Sequence, residues 1–297
     1  MEQGVLTEVG LPIALFVIMI GMGLTLVPRD FREILVAPRA SFYGVIAQIL
    51  LLPLCAFVVA SLLNLSPALA VGLVVIAACP GGTTSNLFVF IGRGDLALSI
   101  VLTVAASLIT IITLPFFANQ ALAHYQDTVE VIRLPFLRTV GTMVGIILVP
   151  VMIGMTVRRF APGFAGRAER PVSLFGLVVL VGVILLLVIQ VGDQAEELAR
   201  QAGLPALLLN LLGLALGLGV GRLVGLSREE AFTVAIELAI KNGTLGLMVT
   251  LTLLESSEMS VPAAVYSMLM FLFGFVMLGY SRLAGIGAPE QRIADTD

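Results

Sequence analysis

Charge is scarce in this chain. Of its 297 residues, 12% are charged and 59% hydrophobic, and the mean hydropathy is +1.10. A soluble domain carries roughly 25% charged residues. The deficit excludes an ordinary soluble fold and points to a polytopic membrane protein, with the lipid bilayer as its first partner. Net charge is −3 and no basic tract is dense, which excludes nucleic acid as a partner. Cysteine is limited to Cys55 and Cys79, both in hydrophobic runs, so neither a disulfide nor a redox motif is expected. The single histidine, His124, falls in an external loop, where it is expected to be solvated. Paired aspartates and a serine–lysine dyad are missing, so nothing supports an intramembrane enzyme, and no cofactor is implied. The first apolar run follows Glu2 and Glu8 without a basic n-region or an obvious cleavage site. It reads as a retained helix rather than a signal peptide.

What the chain has in quantity is apolar sequence. At ~1.5 Å rise per residue, about 20 apolar residues cross the hydrocarbon core. Nine such stretches run over 6–27, 41–63, 68–91, 96–117, 135–157, 172–191, 204–224, 231–254 and 261–282. The expected fold is all-α, with about nine transmembrane helices. Basic residues set the orientation. Arg29, Arg32, Arg39, Arg93, Arg158, Arg159, Arg167, Arg170, Arg222, Arg228, Arg282 and Arg292 fall on one side. Arg133 and Arg200 fall on the other, among Asp127, Glu130, Asp193, Glu196, Glu197, Glu255 and Glu258. Twelve against two puts the C-terminus in the cytoplasm and, with nine spans, the N-terminus outside. Arg138 sits near an outer helix end, where snorkelling accounts for it.

Two spans are interrupted. The third reads AACPGGTTSNLFVF, in which Pro80 breaks the helix and Gly81-Gly82 exposes backbone at mid-membrane depth. The eighth reads AIELAIKNGTLG, with Asn242-Gly243 and then Gly246. Backbone freed in this way is tolerated in a membrane only against protein or a wet cavity. One broken span enters from outside and the other from the cytoplasm, so they run antiparallel. This suggests an inverted-repeat transporter whose broken helices cross near the midplane around a substrate and ion site. Residues 1–130 make the first repeat, with four spans and the broken helix at 68–91. Residues 131–297 make the second, with five spans and the broken helix at 231–254. The first repeat reads as lacking its leading helix.

The only lysine, Lys241, and the only deeply placed acid, Glu237, both lie in the eighth span. Charge at the bilayer centre costs at least ~2.5–3.5 kcal/mol per residue, so it seldom persists without a partner or a task. Thr83, Thr84, Ser85 and Asn86 follow the first break. Their oxygens are hard, neutral ligands suited to Na⁺, and the fresh helix N-terminus favours an anion. Ser99 and Thr103, four residues apart, share one helix face. Ser85, Asn86, Ser99, Thr103 and Glu237 together make a chemically coherent cation site. Taken alone, Ser99 and Thr103 also fit simple packing at a membrane helix interface. Gln48 suits an interhelical hydrogen bond. Lys241 lies ~15 Å along its helix from the cytoplasmic end, a long reach for snorkelling.

These residues carry a resemblance. GMGLTLVPRDF at 21–31, GVIAQ at 44–48, CPGGTTSN at 79–86, GRGDLALSIVLT at 92–103 and IELAIKNGTLG at 236–246 resemble the bile acid:sodium symporter family, in order along the chain. The resemblance implies a panel domain and a core domain, substrate in the crevice between them, and alternating access. It implies the family's nine-helix form. The family's first sodium site maps onto Ser85, Asn86, Ser99, Thr103 and Glu237. Its second site implies Glu237, Gln48, the carbonyls of Leu238 and Ile240, and a glutamine at the position of Lys241. A lysine ammonium brings one positive charge and three donors into that cage of acceptors. Lys241 is therefore expected to replace the second Na⁺, with Glu237 on the same face, four residues earlier, as its ion-pair partner. Met270 and Phe271 stand where some relatives have polar residues, which predicts a less polar pocket there.

The expected function is secondary active transport: Na⁺-coupled symport of a small or amphipathic organic anion, bile-acid-like, 2-oxo acid or pantoate-like. The setting expected is a bacterial inner membrane, and the working unit a monomer. Thr83, Thr84, Asn242 and Gly243 are expected to line the substrate. With Lys241 charged, one Na⁺ suffices and carrying a monoanion is electroneutral. The alternative is a proton-coupled or sodium-independent carrier with Lys241 titrating. A remoter one is metalloid efflux, with Cys79 as a soft ligand.

Overall fold

A computed structural model of the chain describes residues 9–27, 38–126 and 134–287. Arg29, Arg32, Arg133 and Arg292, with Asp127, Glu130, Glu2 and Glu8, lie outside the described residues. The described chain is helical almost throughout. Its helices are α1 (Leu11–Thr25), α2 (Pro38–Leu62), α3 (Pro67–Ala78), α4 (Thr83–Ile91), α5 (Leu96–Tyr125) and α6 (Phe136–Phe160). They continue with α7 (Pro162–Val191), α8 (Ala195–Val224), α9 (Arg228–Ala239), α10 (Gly243–Leu253) and α11 (Ser257–Leu283). Among the described residues, five helical stretches are long and apolar enough to cross a membrane; one of them, Pro162–Val224, contains both α7 and α8. This is an all-α polytopic membrane protein.

Helix ends follow local chemistry. Ser66 caps α3 by accepting from Leu69 N, and Pro67 opens it, where a missing N–H costs nothing. Ser227 and Glu230 form a reciprocal capping box on α9, and Ser256 caps α11. Gly225, at φ +71°, closes α8 in the left-handed conformation that lets Leu226 N donate to Gly221 O.

Two helices start earlier than the apolar pattern predicts. The sixth span was expected from 172 and α7 begins at Pro162; the seventh was expected from 204 and α8 begins at Ala195. Hydropathy locates the hydrocarbon boundary, whereas these helices project past it on charged turns. Glu196 and Glu197 lie in the first turn of α8, where acids suit the helix dipole, and Arg200 pairs with both. His124 likewise lies in the last turn of α5 rather than in a loop. It is exposed, as expected, and its ring meets Phe57 and Tyr125 edge-on.

Helix contacts are densest within two groups, or bodies, that one continuous apolar core joins. One joins α1, α6 and α7; the other joins α2, α3, α5, α8, α9 and α11. Lipid offers no hydrophobic drive between helices, so close approach relies on small residues. Gly23 of α1 and Gly154 of α6 press backbone to backbone, and a Cβ on either would strike the other helix. Gly217 and Gly221 of α8 do the same against Ala235 and Ala231 of α9. Large apolar side chains such as Phe42, Leu137, Leu185 and Phe275 face outward, while Gln48, Glu237 and Lys241 are buried. That inversion of the soluble pattern suits a bilayer.

Candidate functional site: the crossing of two broken helices

α3 stops at Ala78 and α4 restarts at Thr83; α9 stops at Ala239 and α10 restarts at Gly243. The two gaps meet. Gly81 and Lys241 form an antiparallel bridge, in which Asn242 N donates to Pro80 O at 2.9 Å and Gly82 N to Ile240 O at 3.3 Å. Each break thus satisfies backbone that the other leaves free, which a membrane interior requires. Gly81 is compelled sterically: a Cβ there would collide with Glu237 Oε2.

The five residues expected to hold a cation converge beside this crossing. Ser85 Oγ approaches Glu237 Oε1 at 2.5 Å and Gly82 O at 2.6 Å. Ser99 Oγ lies 2.6 Å from both Glu237 Oε1 and Asn86 Oδ1, and Thr103 Oγ1 donates to Glu237 Oε2 at 2.7 Å. A hydroxyl has one proton, so Ser85 and Ser99 can each serve only one of two acceptors. The cluster has more oxygen lone pairs than protons. Glu237, Ser85, Ser99 and Thr103 are buried and Asn86 is half-buried.

The second group is less complete. Gln48 sits in a π-helical turn of α2, Ala47–Leu51, a distortion often found at functional sites. Its Nε2 donates to the Glu237 backbone carbonyl at 3.4 Å, and its buried Oε1 has no partner. Lys241 is 1% exposed, yet its Nζ has no hydrogen-bond partner. The expected Glu237–Lys241 ion pair is not formed. α9 ends at Ala239 and Ile240 is extended (φ −100°, ψ 100°), so four-residue spacing no longer shares a helix face. Of the two carbonyls that the resemblance implies, Ile240 O already accepts from Gly82 N. Leu238 O lies 3.5 Å from the Tyr266 hydroxyl, which donates to Ala239 O at 2.9 Å.

The residues expected to line substrate, Thr83, Thr84, Asn242 and Gly243, border a small cavity between the two bodies. Met19 and Met22 of α1, Ser173, Leu177 and Leu180 of α7, and Met270 and Phe271 of α11 complete its wall, with Lys241 and Thr244. Its volume is about 40 Å³. Met270 and Phe271 therefore do face the pocket and make that side apolar. Asn242 Oδ1 is already used as the N-cap of α10, accepting from Leu245 N at 3.0 Å. Gly243 is held without a side chain by Ser267, whose Oγ occupies the space a Cβ would need. Sequence reasoning missed Tyr266, Ser267 and the walls from α1 and α7. Apolar residues facing a cavity and those facing lipid look alike in one dimension. Cys79 donates its thiol to Val75 O at 3.3 Å, and both cysteines are free.

The family model described as "Sodium Bile acid symporter family" matches residues 12–198. The chain is 30% identical over 285 residues to "Probable sodium/metabolite cotransporter BASS1, chloroplastic" of Arabidopsis thaliana, covering 94% of this chain and 67% of that protein. It is 30% identical over 276 residues to "Uncharacterized sodium-dependent transporter YocS" of Bacillus subtilis, covering 90% and 81%. With the human "Ileal sodium/bile acid cotransporter" it shares 26% identity over 275 residues, 91% of this chain and 78% of the relative.

Proposed function

The chain belongs to the sodium bile acid symporter family, a family of cotransporters rather than enzymes, and from that premise we propose that it carries a small organic anion inward with Na⁺. The observation that supports this most is the proton-poor oxygen cluster of Ser85, Asn86, Ser99, Thr103 and Glu237. A bound Na⁺ would satisfy the lone pairs that hydroxyl protons cannot reach. Thr83, Thr84, Asn242 and Gly243 then form the polar floor of the anion site.

A cavity of about 40 Å³ holds roughly three waters. An organic anion enters only when the body of α1, α6 and α7 separates from its neighbour, which is the panel-and-core movement of alternating access. In this reading 1–130 and 131–297 are inverted repeats, crossing at their broken helices, with nine passes and the C-terminus cytoplasmic. The setting is a bacterial inner membrane and the working unit a monomer. Lys241 provides a fixed positive charge where a relative would bind a second Na⁺. Lys241→Gln then restores a second ion, and a Na⁺ Hill coefficient still near one in that variant contradicts the replacement.

Thermal stability against Na⁺, with K⁺ as the ionic-strength control, tests the cluster. A ligand that binds only the folded state raises stability by mass action. The expected outcome is a Na⁺-specific rise in wild type that is lost in Glu237→Ala; equal curves in Na⁺ and K⁺ refute the site. A second reading is favoured by one observation, the partnerless Nζ of Lys241. There Lys241 exchanges a proton during transport, and uptake follows pH without Na⁺.

A further inference from the structure

Two guanidinium groups border a cavity that has no acid in its wall. The end of α8, the start of α9 and the end of α11 surround about 470 Å³, more than ten times the cavity at the crossing. Arg222 comes from the last turn of α8, and Arg228 opens α9. Among the described residues Arg222 has no hydrogen-bond or ion-pair partner, and Arg228 gives one N–H to Ala284 O at 3.3 Å. The neighbouring carboxylates are used elsewhere: Glu229 accepts from Gly287 N and Glu230 from Ser227 N. A lone arginine at a helix end needs no ligand, because water solvates it. Two from different helices on one cavity, with no acid beside them, make an arrangement that an anion completes. The wall also has an apolar part, with Leu218, Leu226 and Ile286. Leu223 and Leu283, in the last turns of α8 and α11, are 87% and 91% exposed, which suits the boundary between hydrocarbon and headgroups.

We propose that this cavity binds an anionic phospholipid, with its phosphate between Arg222 and Arg228 and an acyl chain along Leu218 and Leu226. A planar guanidinium offers paired N–H donors to phosphate oxygens, and the Tyr280 hydroxyl on the same wall adds a further donor. The apolar part of the wall selects a lipid over a free phosphate in water. Two positive charges without an acid select a net negative headgroup over one that carries its own cation. Bound there, the lipid joins the ends of three helices, among them α9, whose other end carries Glu237. None of these residues borders the cavity at the crossing, and the inference does not depend on what the protein carries.

The test uses purified full-length protein, washed free of lipid in a neutral detergent, and the readout is thermal stability. The probes are phosphatidylglycerol, phosphatidylcholine with the same acyl chains, and inorganic phosphate. Phosphatidylglycerol is expected to raise the melting temperature of wild type, and the other two to leave it unchanged. Arg222→Gln and Arg228→Gln should each need about tenfold more phosphatidylglycerol for the half-maximal rise, and the double variant should show no rise. Arg222→Lys should recover part of the effect. Arg222→Gln breaks no hydrogen bond or ion pair within the chain, so it decides the matter should the Arg228 variants fail to fold. Arg158→Gln combined with Arg159→Gln removes the same charge from the end of α6 and should keep the wild-type response. The proposal is overturned if phosphatidylglycerol leaves wild type unchanged or if the two phospholipids act alike. It is equally overturned if phosphate alone acts as strongly, or if the α6 variant loses as much as the Arg222 and Arg228 double variant.

Discussion

Two acid–base pairs in this chain share the same spacing, and only one of them closes. Glu196 and Arg200 stand on the unbroken first turns of α8 and meet at 3.2 Å, with side chains 87% and 71% exposed. Glu237 and Lys241 straddle the end of α9 and do not meet, although both are fully buried. The pair that contributes least closes, because water screens it and nothing competes. The pair with most at stake stays open because the backbone turns away between its members. Glu237 is met instead by three hydroxyls from α4 and α5, whereas Lys241 is met by none. The carboxylate is surrounded by hydroxyls, and the amine is buried without a hydrogen bond.

Removing the carboxylate breaks this contrast most severely. Glu237→Ala should abolish the Na⁺-specific stabilisation, about 2.7 kcal/mol when Na⁺ is a hundredfold above its Kd. Denaturation in Na⁺ against K⁺ measures the difference. Removing the cation should act in the opposite direction. Without any solute, Lys241→Met should stabilise the protein by about 1–3 kcal/mol, because a buried donor without a partner is removed. A lower melting temperature in that variant would mean that the ammonium has a partner after all.

Crowding the crossing itself comes next. Gly81→Ala places a methyl group against Glu237 Oε2 and should cost about 1–3 kcal/mol as well as weaken the Na⁺ response. Gly82→Ala, whose Cβ would meet Lys241 O at 3.2 Å, should be milder in both readouts. Tyr266→Phe removes the hydroxyl that donates to Ala239 O and should cost about 0.5–1.5 kcal/mol while leaving the Na⁺ response intact. Arg200→Ala should change stability by less than about 1 kcal/mol, and added salt should erase even that.

Much of this arrangement was legible in the amino-acid order, because some residues constrain the backbone wherever they occur. Pro80 with Gly81-Gly82 cannot continue a helix, and Asn242-Gly243 supplies a cap and a start. Ser99 and Thr103 are placed by plain helical periodicity on α5, so their convergence with Ser85 and Glu237 could be anticipated. Lys241 was misplaced relative to Glu237 for the complementary reason: periodicity was carried two residues beyond Ala239, where it no longer applies. The early starts of α7 and α8 escaped because hydropathy reports solvent rather than hydrogen bonding. Met19, Met22 and Leu177 escaped because no residue type marks an apolar wall as facing a cavity.

The backbone bridge at the crossing has a mechanical consequence. Gly82 N–Ile240 O and Asn242 N–Pro80 O tie the two breaks together beside a cavity with room for only a few waters, so little can replace them once they are pulled apart. A hinge placed there would separate four backbone polar groups with few waters at hand to satisfy them. The crossing must therefore behave as a knot that travels intact, and bending falls to the connections leading into α1, α6 and α7. Labels on either side of the knot should hold their separation through a transport cycle, while labels spanning the cavity should not.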